Sequence, residues 1–203
     1  MPYTPRMSGA VRAMTSALAR RRDLCRLARQ VAPGQSVDGP SVLVVGGSGL
    51  RLPPGVGRRT RLDTTPDLGD RVEWVVFVDG VRPIHPDWLM HLIQPGPSPV
   101  RSAPLLQSQS SPRRPLRVLA RGWLVGQSPG RPVPVAIGQH SDPMAALGSR
   151  HLAELAHGSL IAVRGDIAQE LVGIPKEDLG GTIASLGHPT DIIGQATAWV
   201  DRD

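Results

Sequence analysis

Five consecutive apolar residues, Trp74 to Val78, run directly into Asp79 and Gly80. A strand with one face in water alternates apolar and polar residues, so an unbroken run of this length reads as a central strand buried on both faces of an α/β sheet. An acid at the carboxyl end of such a strand stands where open α/β sheets bind their ligands. The same Asp79–Gly80 pair also suits an ordinary polar turn, and both readings stay open on these residues alone. After the turn, Pro86 opens an apolar-periodic helix that runs to about Gln94.

The rest of the chain supports one folded unit around that strand. With 203 residues, 40% of them hydrophobic, it is long enough for a single α/β domain with a real core. Aromatics are only 3%, so the core must rest on Val, Leu, Ile and Ala; 21 Pro and 23 Gly imply punctuated loops. The net charge is +6, almost all of it arginine, with Lys176 the only lysine. That excess suits anionic partners such as phosphates, nucleic acid or membrane surfaces, and a GC-rich genome also produces it. Cys25 is the only cysteine, which excludes an internal disulfide and a cysteine-based zinc site. No apolar run approaches the roughly 20 residues that span a bilayer, and no signal-peptide pattern precedes the domain. The expected location is cytoplasmic, soluble or peripherally attached.

Taken in order, residues 1–8 read as a tail, and Gly9 to Val31 as a basic amphipathic helix. Val11, Met14, Leu18, Cys25 and Ala28 share a broad apolar stripe, with Leu24, Leu27 and Val31 beside it and Arg12, Arg20, Arg22, Arg26 and Arg29 opposite. Such a helix packs on its own domain, or offers a peripheral membrane or protein contact. Residues 1–40 therefore form an N-terminal tail and helix, and residues 41–203 the α/β domain. Ser41 to Val45 is a strand ending in a Gly46–Gly49 turn, and residues 50–70 an irregular loop. Strands are expected over Val100–Gln107, Leu116–Val125, Ser159–Val163 and Ile192–Val200, with an exposed loop over 107–115 and a breaker cluster over 128–134. Helices are expected over Asp142–Ala156, Asp166–Val172 and Lys176–Leu186.

This order of parts resembles the C-terminal two thirds of inverting family-2-type GT-A glycosyltransferases. The residues that carry the resemblance are VFVDG followed by PDWL, then GSLIAVRG, then KEDLGGTIASLGHPTDIIGQATAWV, over roughly residues 70–200. It implies a GT-A-like mixed sheet flanked by helices and transfer of a sugar, with inversion, from a nucleotide-sugar donor to an acceptor hydroxyl. It implies Asp79 as the metal-contacting acid, with Gly80 and Arg164 also on the donor side. It assigns the general base to Asp178 with Glu177 beside it, and puts Trp88 and His85 at the sugar or acceptor. The implied cofactor is Mg or Mn, which neutralises charge developing on the diphosphate. Val81 stands where the family carries a second acid, so that metal site is weakened, and Lys176 replaces a common glycine. Two alternatives follow: a catalytically degenerate scaffold on the same fold, or a basic module for nucleic acid or an anionic surface. The basic module lacks helix-turn-helix, zinc or base-stacking patterns. No histidine pair has metal-site spacing, and no serine sits in a nucleophile elbow.

Overall fold

Trp74–Val78 forms a strand buried at all five positions. It belongs to a computed structural model that describes residues 9–31, 41–60, 62, 72–109, 116–128, 131–139 and 141–200. The expected tail over residues 1–8, the loop over 33–40 and most of the loops over 61–70 and 110–115 lie outside the described residues. In chain order the elements are helix α1 (Gly9–Ala28), strands β1 (Val42–Gly46), β2 (Gly57–Arg59), β3 (Trp74–Val78) and β4 (Val81–Pro83), and helix α2 (Trp88–Leu92). Strands β5 (Val100–Ser102), β6 (Leu105–Ser108), β7 (Leu116–Ala120), β8 (Trp123–Ser128) and β9 (Arg131–Ala136) follow. Then come helix α3 (Pro143–Leu147), strands β10 (Arg150–Ala153) and β11 (Leu160–Arg164), helices α4 (Gly165–Ala168) and α5 (Leu179–Ser185), and strands β12 (Thr190–Ile193) and β13 (Ala198–Val200).

The molecule is mixed α/β. Among the described residues a seven-stranded sheet has the order β10-β12-β5-β11-β3-β1-β2. β3 runs parallel to β1 and antiparallel to β11, so it is hydrogen-bonded on both edges. Its side chains alternate between two cores. Trp74, Val76 and Val78 pack with Trp88, Leu89 and Leu92 of α2 on one face. Val75 and Phe77 pack with Ile167, Leu171, Leu179 and Ile183, from α4, α5 and the turn between them, on the other. This double burial is why the sequence shows a run and not an alternation.

Three expected strands each prove to be two strands in two sheets, and one of them, Leu116–Val125, divides at Arg121–Gly122 into β7 and β8. Val100–Gln107 is cut at Ala103–Pro104, and β6 enters a second sheet of order β4-β13-β6-β7. Pro104 has no N–H to continue a ladder, while its carbonyl accepts from Ala198 N at 3.1 Å. Ile192–Val200 is cut by a 3-10 turn at Gly194–Ala196. A Cβ at Gly194 would collide with the carbonyl oxygens of Ala146, Leu147 and Ser149, so only glycine allows this crossing. β5 and β12 are parallel neighbours, as are β6 and β13, so the two chain segments leave the large sheet together.

Three other expectations are corrected. The helix over Asp142–Ala156 stops at Leu147, and Arg150–Ala153 becomes an edge strand on β12. Its start is as read: Asp142 Oδ1 accepts from Met144 N at 2.9 Å with Pro143 at the first position. Pairing with a buried strand outweighs helix propensity beyond Gly148. Of the breakers over 128–134, Ser128 ends β8 and residues 131–134 lie in β9, which among the described residues makes a two-stranded ribbon whose edge tolerates Pro132 and Pro134; residues 129 and 130 lie outside the described residues. In α1, Leu27 and Val31 are the inward residues, packed on Leu106, Leu116 and Val118 of the second sheet and on α3. Met14 and Leu18, placed on the apolar stripe, are instead 62% and 60% exposed.

Candidate functional site

β1 and β3 end level with each other. Gly47 N donates to Val78 O at 2.9 Å, and Asp79 N donates to Ser159 O at 2.8 Å. Gly80 then takes a positive φ of 59° and turns the chain into β4. The exposed Asp79 therefore sits at a fixed corner beside the Gly46–Gly49 turn.

Three cavities meet at this residue. One of about 450 Å³ lies between Gly47–Leu50 and Val78–Arg82. A second, about 390 Å³ and mainly apolar, is walled by Val45, Leu62, Phe77, Leu171, Ile174 and Leu179 besides Asp79. The third, about 580 Å³, is lined by Asp79, Trp123, His157, Glu177, Gly180 and Gly181 among others. Trp123 is fixed by a reciprocal backbone pair with Leu155, at 3.1 and 3.0 Å. Its ring lies 5.3 Å from the His157 ring at an interplanar angle of 33°. His157 Nδ1 accepts from Ser159 N at 3.2 Å, which orients the imidazole along the same wall. The result is an aromatic pair and two carboxylates lining one cavity, an arrangement suited to a hydroxyl-rich, partly apolar ligand.

Asp79, Gly80 and Glu177 all border this group of cavities, and Glu177 shares the third cavity with Asp79. Asp178 is exposed, directly precedes α5, makes no capping hydrogen bond, and lines none of the three. Arg164 is not brought to Asp79. It ends β11, which is antiparallel to β3, so it stands level with Trp74 at the opposite end of the sheet. That is roughly 15 Å from Asp79 at strand spacing. There it lies 3.7 Å from Asp166 and lines a separate cavity of about 910 Å³. Trp88 is 3% exposed and part of the core beneath the large sheet. His85 lines none of the three cavities; its Nδ1 accepts from Asp87 N at 3.1 Å.

For a divalent ion, no group of three His, Cys, Asp or Glu side chains converges among the described residues. Val81, two residues after Asp79, is 5% exposed and pairs with Val200. Asp79 and Glu177 are the oxygen donors on one cavity. That set does not make an all-protein cage, but it fits a magnesium-type ion that keeps several waters and takes one or two carboxylates plus substrate phosphate.

The far end of the sheet carries a buried ionic cluster. Arg101 is 3% exposed, lies 4.3 Å over the Trp74 ring, and donates to Leu92 O at 3.3 Å. Burial lowers its guanidinium to about 10, with Asp191 opposing that shift, so it stays protonated at neutral pH. Asp191, also buried, accepts from Arg150 Nη2 at 2.8 Å and Nε at 3.4 Å.

Sequence reasoning missed Trp123 and His157, which are 34 positions apart and share no motif. A weak signal existed for the cavity floor, because Gly180-Gly181 at a helix start is poor helix chemistry. The chain matches no protein-family model and no curated protein sequence.

Proposed function

We propose that the Asp79 cleft binds a nucleotide-activated sugar and transfers the sugar to an acceptor hydroxyl, on a GT-A-like fold. The observation that supports this reading is the convergence of three cavities on one carboxylate at the end of the central strand, with Glu177 and an aromatic pair on the largest of the three. The apolar cavity suits a nucleotide base, and the bare backbone of Gly47–Gly49 suits a diphosphate approaching Asp79. Asp79 would hold a hydrated Mg or Mn ion, which supplies neutralisation of the diphosphate charge. The acceptor lies along Trp123 and His157. Glu177 takes the acceptor O–H proton while the oxygen bonds to the anomeric carbon. The bond from that carbon to the diphosphate oxygen breaks, and its electron pair leaves with the nucleoside diphosphate. Glu177 takes the role of base in place of Asp178 because it borders the cavity.

A degenerate, non-catalytic form of the fold is the second reading, and the buried, strand-paired Val81 favours it. Melting temperatures separate the two. Each nucleoside diphosphate and nucleotide sugar is tested with and without manganese. A ligand at a hundred times its Kd adds about 2.7 kcal/mol, or about 5–10 °C for a chain this size. The transferase reading expects that shift for one nucleotide, lost in Asp79→Asn, and turnover lost in Glu177→Gln with binding retained. Binding without turnover supports the degenerate form, and no shift from any nucleotide refutes the transferase reading and leaves the non-catalytic scaffold.

A further inference from the structure

The outward face of α1 carries the second inference. At 100° per residue, Leu24 and Leu27 fall on one side of the helix and pack inward, as does Val31 just past its end. Arg20 on that side is held by the second sheet: its guanidinium lies 5.2 Å over the Trp199 ring and donates to Ser108 Oγ at 3.0 Å. The opposite side is open. Met14 and Leu18, at 62% and 60% exposure, form an apolar ridge with the exposed Cys25 about two turns beyond Leu18. Arg21, Arg22, Arg26 and Arg29 are all exposed around that ridge. The only acid in the helix, Asp23, lies to the side, 3.9 Å from Arg26.

We propose that this face docks on an anionic membrane surface, with Met14 and Leu18 entering the headgroup boundary and the arginines paired with lipid phosphates. The chemistry selects that occupant. A helix with exposed large apolar side chains flanked by arginine, and with no acid on the same face, is the pattern of an in-plane interfacial helix. A second copy of the chain is disfavoured because two such faces would set arginines against arginines. Nucleic acid would use the charge but leave the apolar ridge without a role. No helix among the described residues is long and apolar enough to cross a membrane, so the contact is peripheral.

Cys25 lies on the face itself and is the chain's only cysteine, so an environment-sensitive fluorophore there reports its burial. The labelled full chain is mixed with vesicles of phosphatidylcholine alone, or with one third phosphatidylserine. The expected result is co-sedimentation and a blue shift with the anionic vesicles only, both reversed as salt screens the arginines. Arg21→Gln with Arg22→Gln should weaken partitioning by on the order of fivefold per residue. Met14→Ser with Leu18→Ser should remove the blue shift. All four side chains are exposed, so both variants should keep the parent melting temperature, which rules out unfolding as the cause. The proposal is overturned by no sedimentation with anionic vesicles at low salt. It is equally overturned by unchanged binding in both variants, or by a probe that responds to duplex DNA or to protein concentration and not to lipid.

Discussion

Adjacent glycines at the start of α5 allow a sharp test of the candidate site. Gly180 and Gly181 both line the cavity that holds Glu177, and neither has a positive φ. A Cβ at Gly180 would lie far inside 3.0 Å of the Ala156 carbonyl oxygen, which is backbone and cannot rotate away. A Cβ at Gly181 meets nothing within 4 Å. To admit Gly180→Ala, α5 must part from the Ala156 segment by about 1 Å to restore ordinary contact. Such overpacking costs about 1–3 kcal/mol, offset by up to about 1 kcal/mol of helix propensity. Gly181→Ala has the propensity gain without the clash. The two variants should differ by about 2 kcal/mol, or roughly 4–8 °C in melting temperature for a chain of this size. Because Glu177 precedes the same helix by one short turn, Gly180→Ala should also impair turnover or acceptor binding, whereas Gly181→Ala should not. Thermal unfolding with a parallel assay of the proposed sugar transfer reads both effects. Equal melting temperatures for the two variants would show that α5 does not lie against Ala156 as described.

Two further substitutions test the frame around the site. Asp191→Asn leaves the buried, protonated Arg101 without its main counter-charge and should cost about 3–5 kcal/mol in urea unfolding. Arg150→Gln removes only the half-exposed partner and should cost about 1 kcal/mol or less; equal costs would contradict the burial of the cluster. Val81→Asp adds a second acid two residues after Asp79 but buries a carboxylate in the core cluster that holds Val76, Leu105 and Ala198. It should destabilise the fold by several kcal/mol without tightening manganese binding, and a stable variant with tighter manganese binding would refute that account.

Legibility followed the reach of each physical signal. β3 and the corner at Asp79 were readable because double burial and a strand-end acid are both local patterns. The N-cap of α3 was readable for the same reason, since Asp142 and Pro143 act within one turn. Its end was not, because β10 forms by pairing with β12, some forty residues later. The cuts at Pro104 and Gly194 left marks in the sequence, but nothing local says that the two halves belong to different sheets. The face of α1 that packs inward was misjudged because periodicity ranks apolarity and does not know where the partner surface lies. Trp123 and His157 meet through the Trp123–Leu155 bridge, a long-range contact with no spacing rule. Arg164 was grouped with Asp79 because the family resemblance put both on the donor side. Their strands are antiparallel, and direction is a property of topology that composition does not carry.

The second sheet explains why the corner is rigid and why it carries a single acid. Asp79 is tied on one side by its amide to Ser159, and two residues later Val81 is tied by strand pairing to Val200. The chain between them must turn within one residue, which the positive φ of Gly80 accomplishes. β13 can reach β4 only because it crosses from the large sheet in step with β6, through the close approach of Gly194 to the carbonyls before β10. Val81 faces the core as the first residue of β4 because of that pairing, so the position cannot also present a carboxylate to the cleft. The buried valine at position 81 and the fixed geometry of Asp79 are thus one structural choice. A second charged group, where the cleft uses one, has to come from another element, and Glu177 from the turn before α5 is the carboxylate that shares a cavity with Asp79.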